Sequence, residues 1–510
     1  MKRRVTYILL FALLFAFKPL CGIWAQSGKK SNLSPQEYID QVLKKNKHYK
    51  DAVVAIYAVD GQGRAVARWN SNLPLLTAST LKTVTTGLAL IYLGEDFKYE
   101  TTLSYRGSIS DGILYGNLYI IGGADPTLGS EDEVAYKTDE VFGSWAEALK
   151  SLGISRIEGN IVVDDSYLCR EVIPSSWTWG NIGYNYGSAP SGLPFHEDVQ
   201  NVIIYPGKNV GDSASVKVLY PQIPNFKYLN TITTEKAKSG DESEYFTSDL
   251  ARVGKFAGSV PVDRDSIKTT ISNKFAYLSC GVAFRDFLIS NGVAIGPDIL
   301  TLDEALAEAS AVSEISLQEL QSSLTPITTT YSPELWKIVE VTNRVSNNFF
   351  AETIYKTLGK KMFGEGTYSA AKKAARKLLD SLGVSRTGYS QDDGSGLSRQ
   401  NYLSPEFFCR FYSMMEKQPV FERFYESLPY SGVGTLKYVM RGKEFDSKIA
   451  ERVHAKSGSL SSVKCYAGYA EAGPKHGTIK FAILVNNYSG PTREIQKGLE
   501  GFMYSLANAD

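Results

Sequence analysis

Histidine and cysteine are scarce in this 510-residue chain, which has four of the first and five of the second. The histidines (His48, His196, His454, His476) are scattered, and no H-E-x-x-H or C-x-x-C pattern occurs, so nothing points to a metal or dithiol centre. A G-x-S-x-G segment is also missing, which removes the usual strand-to-helix nucleophile elbow. Charge of one sign is not in excess. A net charge of +1 supplies no field for a phosphate backbone and excludes nucleic acid as a partner. Biased tracts and internal repeats are lacking too. With 43% hydrophobic and 21% charged residues, the chain reads as globular and long enough for about three compact units. The apolar run over 5–17 is short of the roughly 20 residues that span a bilayer.

That run follows Lys2, Arg3 and Arg4 and precedes Ala25, a small residue suited to a cut ahead of Gln26, so 1–25 reads as a secretory signal peptide. Lys18-Pro19-Leu20 ahead of Cys21 is a poor lipidation sequence. Cleavage removes four cations and no acid, which leaves the mature chain slightly acidic. Cys169, Cys280, Cys409 and Cys465 then remain. An oxidising compartment leaves pairing open to them, but a chain of this size does not need it. The apolar neighbours of Cys409 and Cys465 predict buried, inert thiols.

A β-rich run over 52–59, the turn Asp60-Gly61-Gln62-Gly63 and a second run over 65–69 predict a hairpin. A helix follows over 79–93, with Thr77 or Ser79 as its N-cap and Gly94 as its stop. From 99 to 333 the chain turns to short strands and many turns, including a plain turn at Gly122-Gly123-Ala124-Asp125. Helical periodicity returns over 334–361 and 368–382, where Lys372, Lys373, Arg376 and Lys377 form a solvated outer face. Strands over 463–470 and 478–485 and a helix over 493–506 end the chain. This order predicts one domain built from 26–98 and 334–510, interrupted by a β-rich insertion over 99–333.

Ser79-Thr80-Leu81-Lys82 sets a hydroxyl and an amine three residues apart on one helix face, an arrangement suited to a nucleophile and its base. S-x-x-K also starts at Ser27, Ser369 and Ser461, but only Ser79 opens an apolar helix directly after a hairpin. Lys456-Ser457-Gly458 offers a cation and a hydroxyl for a carboxylate, with a glycine that lets substrate approach the backbone. Ser346-Asn347-Asn348 adds another hydroxyl and an amide.

The three motifs in this order resemble the penicillin-recognising serine enzymes. The long insert between Lys82 and Ser346 narrows the resemblance to the class C penicillin-binding proteins, the D-alanyl-D-alanine carboxypeptidase/endopeptidase family. Family-like patterns continue at Gly116-Asn117-Leu118 through Leu128, at Gly159-Asn160-Ile161 through Ser166, and at Asp393-Gly394-Ser395-Gly396-Leu397-Ser398-Arg399. Two departures stand out: Asn347 where Asp is usual and Ser457 where Thr is usual.

The resemblance implies an α+β fold, a serine transpeptidase/β-lactamase-like α/β sandwich with a large, mostly β insertion of two nested subdomains. It implies a periplasmic enzyme without cofactor or metal that acts on peptidoglycan stem peptides, is acylated by β-lactam antibiotics, and has a peripheral membrane or cell-wall association within its scope. Ser79 would be the nucleophile, Lys82 its base once burial and Lys456 depress its pKa, and Ser346 the relay to the leaving amine. Asn348 would hold the substrate amide, Lys456 and Ser457 the terminal carboxylate, and the backbone N–H groups of Ser79 and Ser459 the oxyanion. Asp164 or Asp165 would approach the substrate's amino-bearing side chain. A β-lactamase-like hydrolase and a catalytically silent cell-wall or penicillin-binding sensor are the competing readings.

Overall fold

The computed structural model describes residues 33–169, 172–312 and 314–510, so the signal peptide expected over 1–25 lies outside the described residues. Its framework is a five-stranded antiparallel sheet that joins both ends of the chain. Strands β1 (Val53–Val59) and β2 (Ala65–Trp69) form the expected hairpin. Helix α1 (Lys82–Leu93) follows, and helix α2 (Asn348–Phe363) comes after the long insert. Strands β3 (Val453–Leu460), β4 (Val463–Glu471) and β5 (Thr478–Asn486) and helix α3 (Thr492–Ala507) complete the framework. The strand order is β2-β1-β5-β4-β3, which leaves β3 at an edge.

Alternation along β4 and β5 divides the core into two layers. Val463, Cys465, Ala467, Tyr469, Ala482 and Leu484 point to the layer that holds α1 and α2. Tyr466, Ala470, Phe481, Ile483 and Val485 point the other way, onto Leu499, Phe502, Met503 and Leu506 of α3. The result is a helix–sheet–helix sandwich. α1 is buried on every side from Lys82 to Leu90, including Thr83, Thr85 and Thr86, and these hydroxyls bond the Thr80, Gly394 and Lys82 carbonyls respectively. A helix enclosed in this way needs no polar face, which explains why its apolar spacing is only partly periodic.

The insert is built around a second, six-stranded sheet whose members run from Glu100–Ser110 to Thr325–Tyr331. Smaller sheets built from strands between 199 and 272 lie within it along the chain. The insert also holds two short helices, Leu302–Ser310 and Leu317–Ser322, and two longer ones, Thr138–Ser151 and Ala276–Ser290, which the turn-rich texture of the sequence concealed. Trp145, Phe142 and Phe284 pack the longer two together in a separate core.

The remaining local expectations divide. The four cysteines are unpaired; Cys280, Cys409 and Cys465 are buried and Cys169 is exposed. Of the basic face, Lys373, Arg376 and Lys377 are exposed, but Lys372 is half-buried and bonded to Asp392. The helical span expected over 334–361 is two helices, Leu335–Arg344 and α2, separated by a turn in which Ser346 adopts φ +66°. No helix among the described residues is long and apolar enough to cross a membrane.

One packing contact ties the framework to the turn that carries Ser79. Gly396 has φ +88°, and a Cβ there would lie 1.9 Å from the Ala78 carbonyl oxygen. Gly396→Ala is therefore expected to cost about 2 kcal/mol or more in urea unfolding, because both the backbone conformation and the available space forbid a side chain.

Candidate active site

Ser79 is not a helix cap. It sits inside a 3-10 turn, Ala78–Leu81, that leads into α1 with no side-chain capping bond, and its Oγ accepts a hydrogen bond from Lys82 Nζ at 3.0 Å. The turn is held in an unusual shape, since Ala78 adopts φ +45°. Two neighbours hold it there. Gly396 abuts the Ala78 carbonyl, and a Cβ on Gly458 of β3 would lie 2.7 Å from Thr77 O and 3.0 Å from Ser79 N. The glycine of K-S-G thus allows the edge strand to reach the serine's own backbone; the reason expected for it was the approach of substrate.

Lys82 is wholly buried. Its amine also donates to Asn348 Oδ1 at 2.6 Å and to the Ser395 carbonyl at 2.8 Å. Burial depresses its pKa to about 7, against an opposing pull from the Glu352 and Asp393 carboxyls. Lys456 was expected to be the second depressing cause, but the effect runs the other way. Lys456 is also wholly buried, and burial and then the Lys82 charge hold its pKa well below the ordinary lysine value.

Lys456 lies on a strand of its own, β3, which precedes the Cys465 strand β4. Its Nζ donates to the Ser457 carbonyl at 2.9 Å, and the Ser457 hydroxyl donates to Thr435 Oγ1 at 2.9 Å. Ser459 is exposed, and its Oγ accepts from Lys464 Nζ at 3.0 Å. The Ala455 N–H leaves the sheet edge to reach the Pro429 carbonyl at 2.8 Å. In an unbroken antiparallel register, Ser457 and Ser459 are in step with Ala455 and direct their N–H groups to that same edge. His454, two residues ahead of Lys456, is stacked between Tyr425 and Tyr430 as a packed strand residue.

Asn348 begins α2 and joins the site to the insert, because its Nδ2 donates to the Tyr186 carbonyl at 2.8 Å while Oδ1 accepts from Lys82. Among the described residues, Lys82 is bonded by Ser79, Asn348 and Ser395 and not by Ser346. Ser346 is half-buried and lines a cavity of about 360 Å³ together with Asn347, Asn348, Tyr186, Glu131 and Glu197. Ser79 and Lys82 do not line this cavity, and Asn348 connects the two. Asp164 and Asp165 are buried in the insert, where Asp164 accepts from Ser166 N and Gln321 Nε2. The acids facing the cavity are Glu131 and Glu197.

Glu197 accounts for one departure in sequence. Asn347 caps α2 through its Oδ1 and donates from Nδ2 to Glu197 Oε2 at 2.8 Å, while the Ser130 hydroxyl donates to Glu197 Oε1 at 2.6 Å. Glu197 lies in a run, His196-Glu197-Asp198, in which all three residues have φ near +50°. An aspartate at 347 would set carboxylate against carboxylate. Asparagine there and glutamate at 197 are therefore chemically matched.

Two measurements follow. Lys82 binds its proton more weakly folded than unfolded, so its burial costs stability below about pH 7, and that cost fades as pH rises to the ordinary lysine value. Relative to Lys82→Met, the wild type is expected to gain stability steadily between pH 7 and 10 in urea unfolding. Asn347→Asp is expected to destabilise by about 1–2 kcal/mol in urea unfolding, with Glu197→Gln restoring the loss.

Comparison with known proteins identifies relatives of this chain. A D-alanyl-D-alanine carboxypeptidase of Actinomadura sp. (strain R39) is 26% identical over 487 residues, covering 89% of this chain and 81% of its own. The D-alanyl-D-alanine carboxypeptidase DacB of Haemophilus influenzae is 23% identical over 430 residues, 84% of each chain. The crystal structure of penicillin binding protein 4 from Haemophilus influenzae shares the fold, with TM-score 0.74 at 20% identity over 90% of this chain and 96% of that one. Residues 36–506 match the model of the D-Ala-D-Ala carboxypeptidase 3 (S13) family, and the chain belongs to that family.

Proposed function

We propose that this carboxypeptidase is exported to the periplasm, cleaves the terminal D-alanyl-D-alanine bond of peptidoglycan stem peptides through an acyl-enzyme on Ser79, and is acylated there by penicillins. The hydrogen bonding of the Lys82 amine carries this reading. With a pKa of about 7, a large share of Lys82 is neutral at neutral pH. A neutral amine has two N–H donors and one lone pair. Asn348 Oδ1 and the Ser395 carbonyl accept the two donors, which leaves the lone pair for the Ser79 hydroxyl 3.0 Å away.

Ser79 Oγ gives its proton to Lys82 as it bonds the carbonyl carbon of the penultimate D-alanine. The developing oxyanion is met by the N–H groups of Ser79 and Ser459, the first near the positive end of α1 and the second on the open strand edge. The C–N bond then breaks, and the leaving amine takes a proton delivered through Ser346. Water hydrolyses the ester and returns Ser79 to its starting state.

Lys456 and Ser457 bind the terminal carboxylate. The substrate-free Lys456 holds its proton more weakly than an ordinary lysine, and an arriving carboxylate raises its proton affinity. An extended substrate can also pair with the free edge of β3, and Asn348 holds its amide beside the insert. A buried amine in search of an anionic partner favours carboxypeptidase action, with endopeptidase action on cross-linked peptides as the second activity of the same site.

The test is incubation with benzylpenicillin followed by intact-mass and peptide mass spectrometry, alongside Ser79→Ala. A single adduct on the Ser79 peptide, absent from the variant and lasting many minutes, is expected. Its formation rate should rise with pH through an inflection near 7. Rapid turnover without a lasting adduct would mark a β-lactamase-like hydrolase, and neither adduct nor turnover would leave the silent sensor.

A further inference from the structure

Beneath Lys82 lies a carboxyl group with no part in the chemistry described so far. Glu352 is wholly buried on α2, one turn after Asn348. Its two oxygens accept the backbone N–H groups of Gly394 and Ser395 at 2.9 and 2.8 Å. Ser395 is the residue whose carbonyl accepts from Lys82, so Glu352 fixes the peptide unit before the acceptor while Asn348, from the same helix, provides another acceptor. The loop has little freedom to shift. A Cβ on Gly394 would lie 2.4 Å from the Ala351 carbonyl, and one on Gly396 would meet the Ala78 carbonyl.

We propose that Glu352 is a positioning residue for Lys82: it holds the Ser395 carbonyl on the amine and provides the counter-charge when Lys82 takes the Ser79 proton. This rests on the acyl-serine reading above. The groups facing the pair are few. Asp393 approaches from the loop, Tyr355 from α2 itself and Lys456 from β3 beyond Lys82. Asp393 accepts from Gly396 N, Ser398 N, Trp177 Nε1 and Asn401 Nδ2, donors that oppose the upward push of burial on its pKa without cancelling it. Glu352 has fewer donors, and burial beside Asp393 pushes its pKa up, so its negative charge is most stable opposite an ammonium. The carboxylate keeps its two backbone N–H donors throughout, so the one proton that moves passes from Ser79 Oγ to Lys82 Nζ. The proton leaving Ser79 bonds to the Lys82 nitrogen, and the Glu352 charge makes that nitrogen more basic without contacting the substrate.

The experiment measures the second-order rate constant of benzylpenicillin acylation from pH 5 to 9 for wild type, Glu352→Gln and Glu352→Asp. Loss of the counter-charge makes Lys82 a weaker base that is neutral at lower pH. Glu352→Gln should therefore show an acidic inflection about one pH unit below that of wild type and a plateau about tenfold lower. Glu352→Asp keeps the charge but retracts it, so its inflection should stay at the wild-type pH while its plateau falls. A lowered plateau with an unmoved inflection in Glu352→Gln would overturn the proposal, since that is what a loosened loop alone produces. If Glu352→Gln does not fold, Glu352→Asp decides: a plateau equal to wild type overturns the proposal. A wild type that is not acylated refutes the Ser79 reading and this inference together, whereas an acylated wild type sharing its inflection with Glu352→Gln refutes only this one.

Discussion

An amine taken wholly out of water holds its proton weakly, and much of this molecule serves to keep Lys82 in that state. The surroundings must still satisfy its hydrogen bonds, or the burial would be too costly to maintain. Three segments distant in sequence meet that need: the turn at Ser79, the start of α2 at Asn348 and the loop at Ser395. Helix α1, enclosed by α2, the sheet and the helices after it, carries the lysine into the interior. The rest of the architecture can be read as the means of bringing those acceptors to one point.

Close backbone approach is the second requirement, and it explains the glycines. β3 lies against the Ser79 turn only because Gly458 has no side chain, and the Asp393–Ser398 loop lies against it from another side only because of Gly396. Ala78 and Ser346 both adopt left-handed backbone conformations, next to Ser79 and just ahead of Asn348. Such conformations cost of order 1–3 kcal/mol each and persist where the surrounding packing leaves no alternative.

The insert takes part in the site directly. Its Tyr186 carbonyl holds Asn348, and its Glu197 holds Asn347, so the S-x-N turn is gripped from outside the sandwich. The carboxylate at 197 changes what residue 347 can be, and the unusual asparagine becomes intelligible once its partner is seen. Glu131 and Glu197 give the adjoining cavity an acidic wall, while the expected Asp164 and Asp165 are buried in the insert.

Local pattern carried a good deal. Alternation and turn residues marked the β1–β2 hairpin and the β4–β5 pair, and 3.6-residue periodicity marked the helix at Tyr368–Ser381 and α3, because each of these has one face in a core and one outside it. The order of S-x-x-K, S-x-N and K-S-G pointed to the family, since chemistry fixes those residue types. Tertiary structure decided the rest. Ser79 looked like a cap because capping is local, whereas its bond to Lys82 depends on a turn shaped by Gly396 and Gly458 from elsewhere in the chain. β3 did not read as a strand because Lys456, Ser457 and Ser459 break the apolar pattern, and only its place at the sheet edge gives them a use. Ser395 lay in a family-like pattern that assigned it no role, and Thr435, Tyr186, Glu197 and Glu352 had no sequence signal. A carbonyl's partner or a buried carboxyl's neighbour is set by which segments meet in space, and one-dimensional spacing does not encode that meeting.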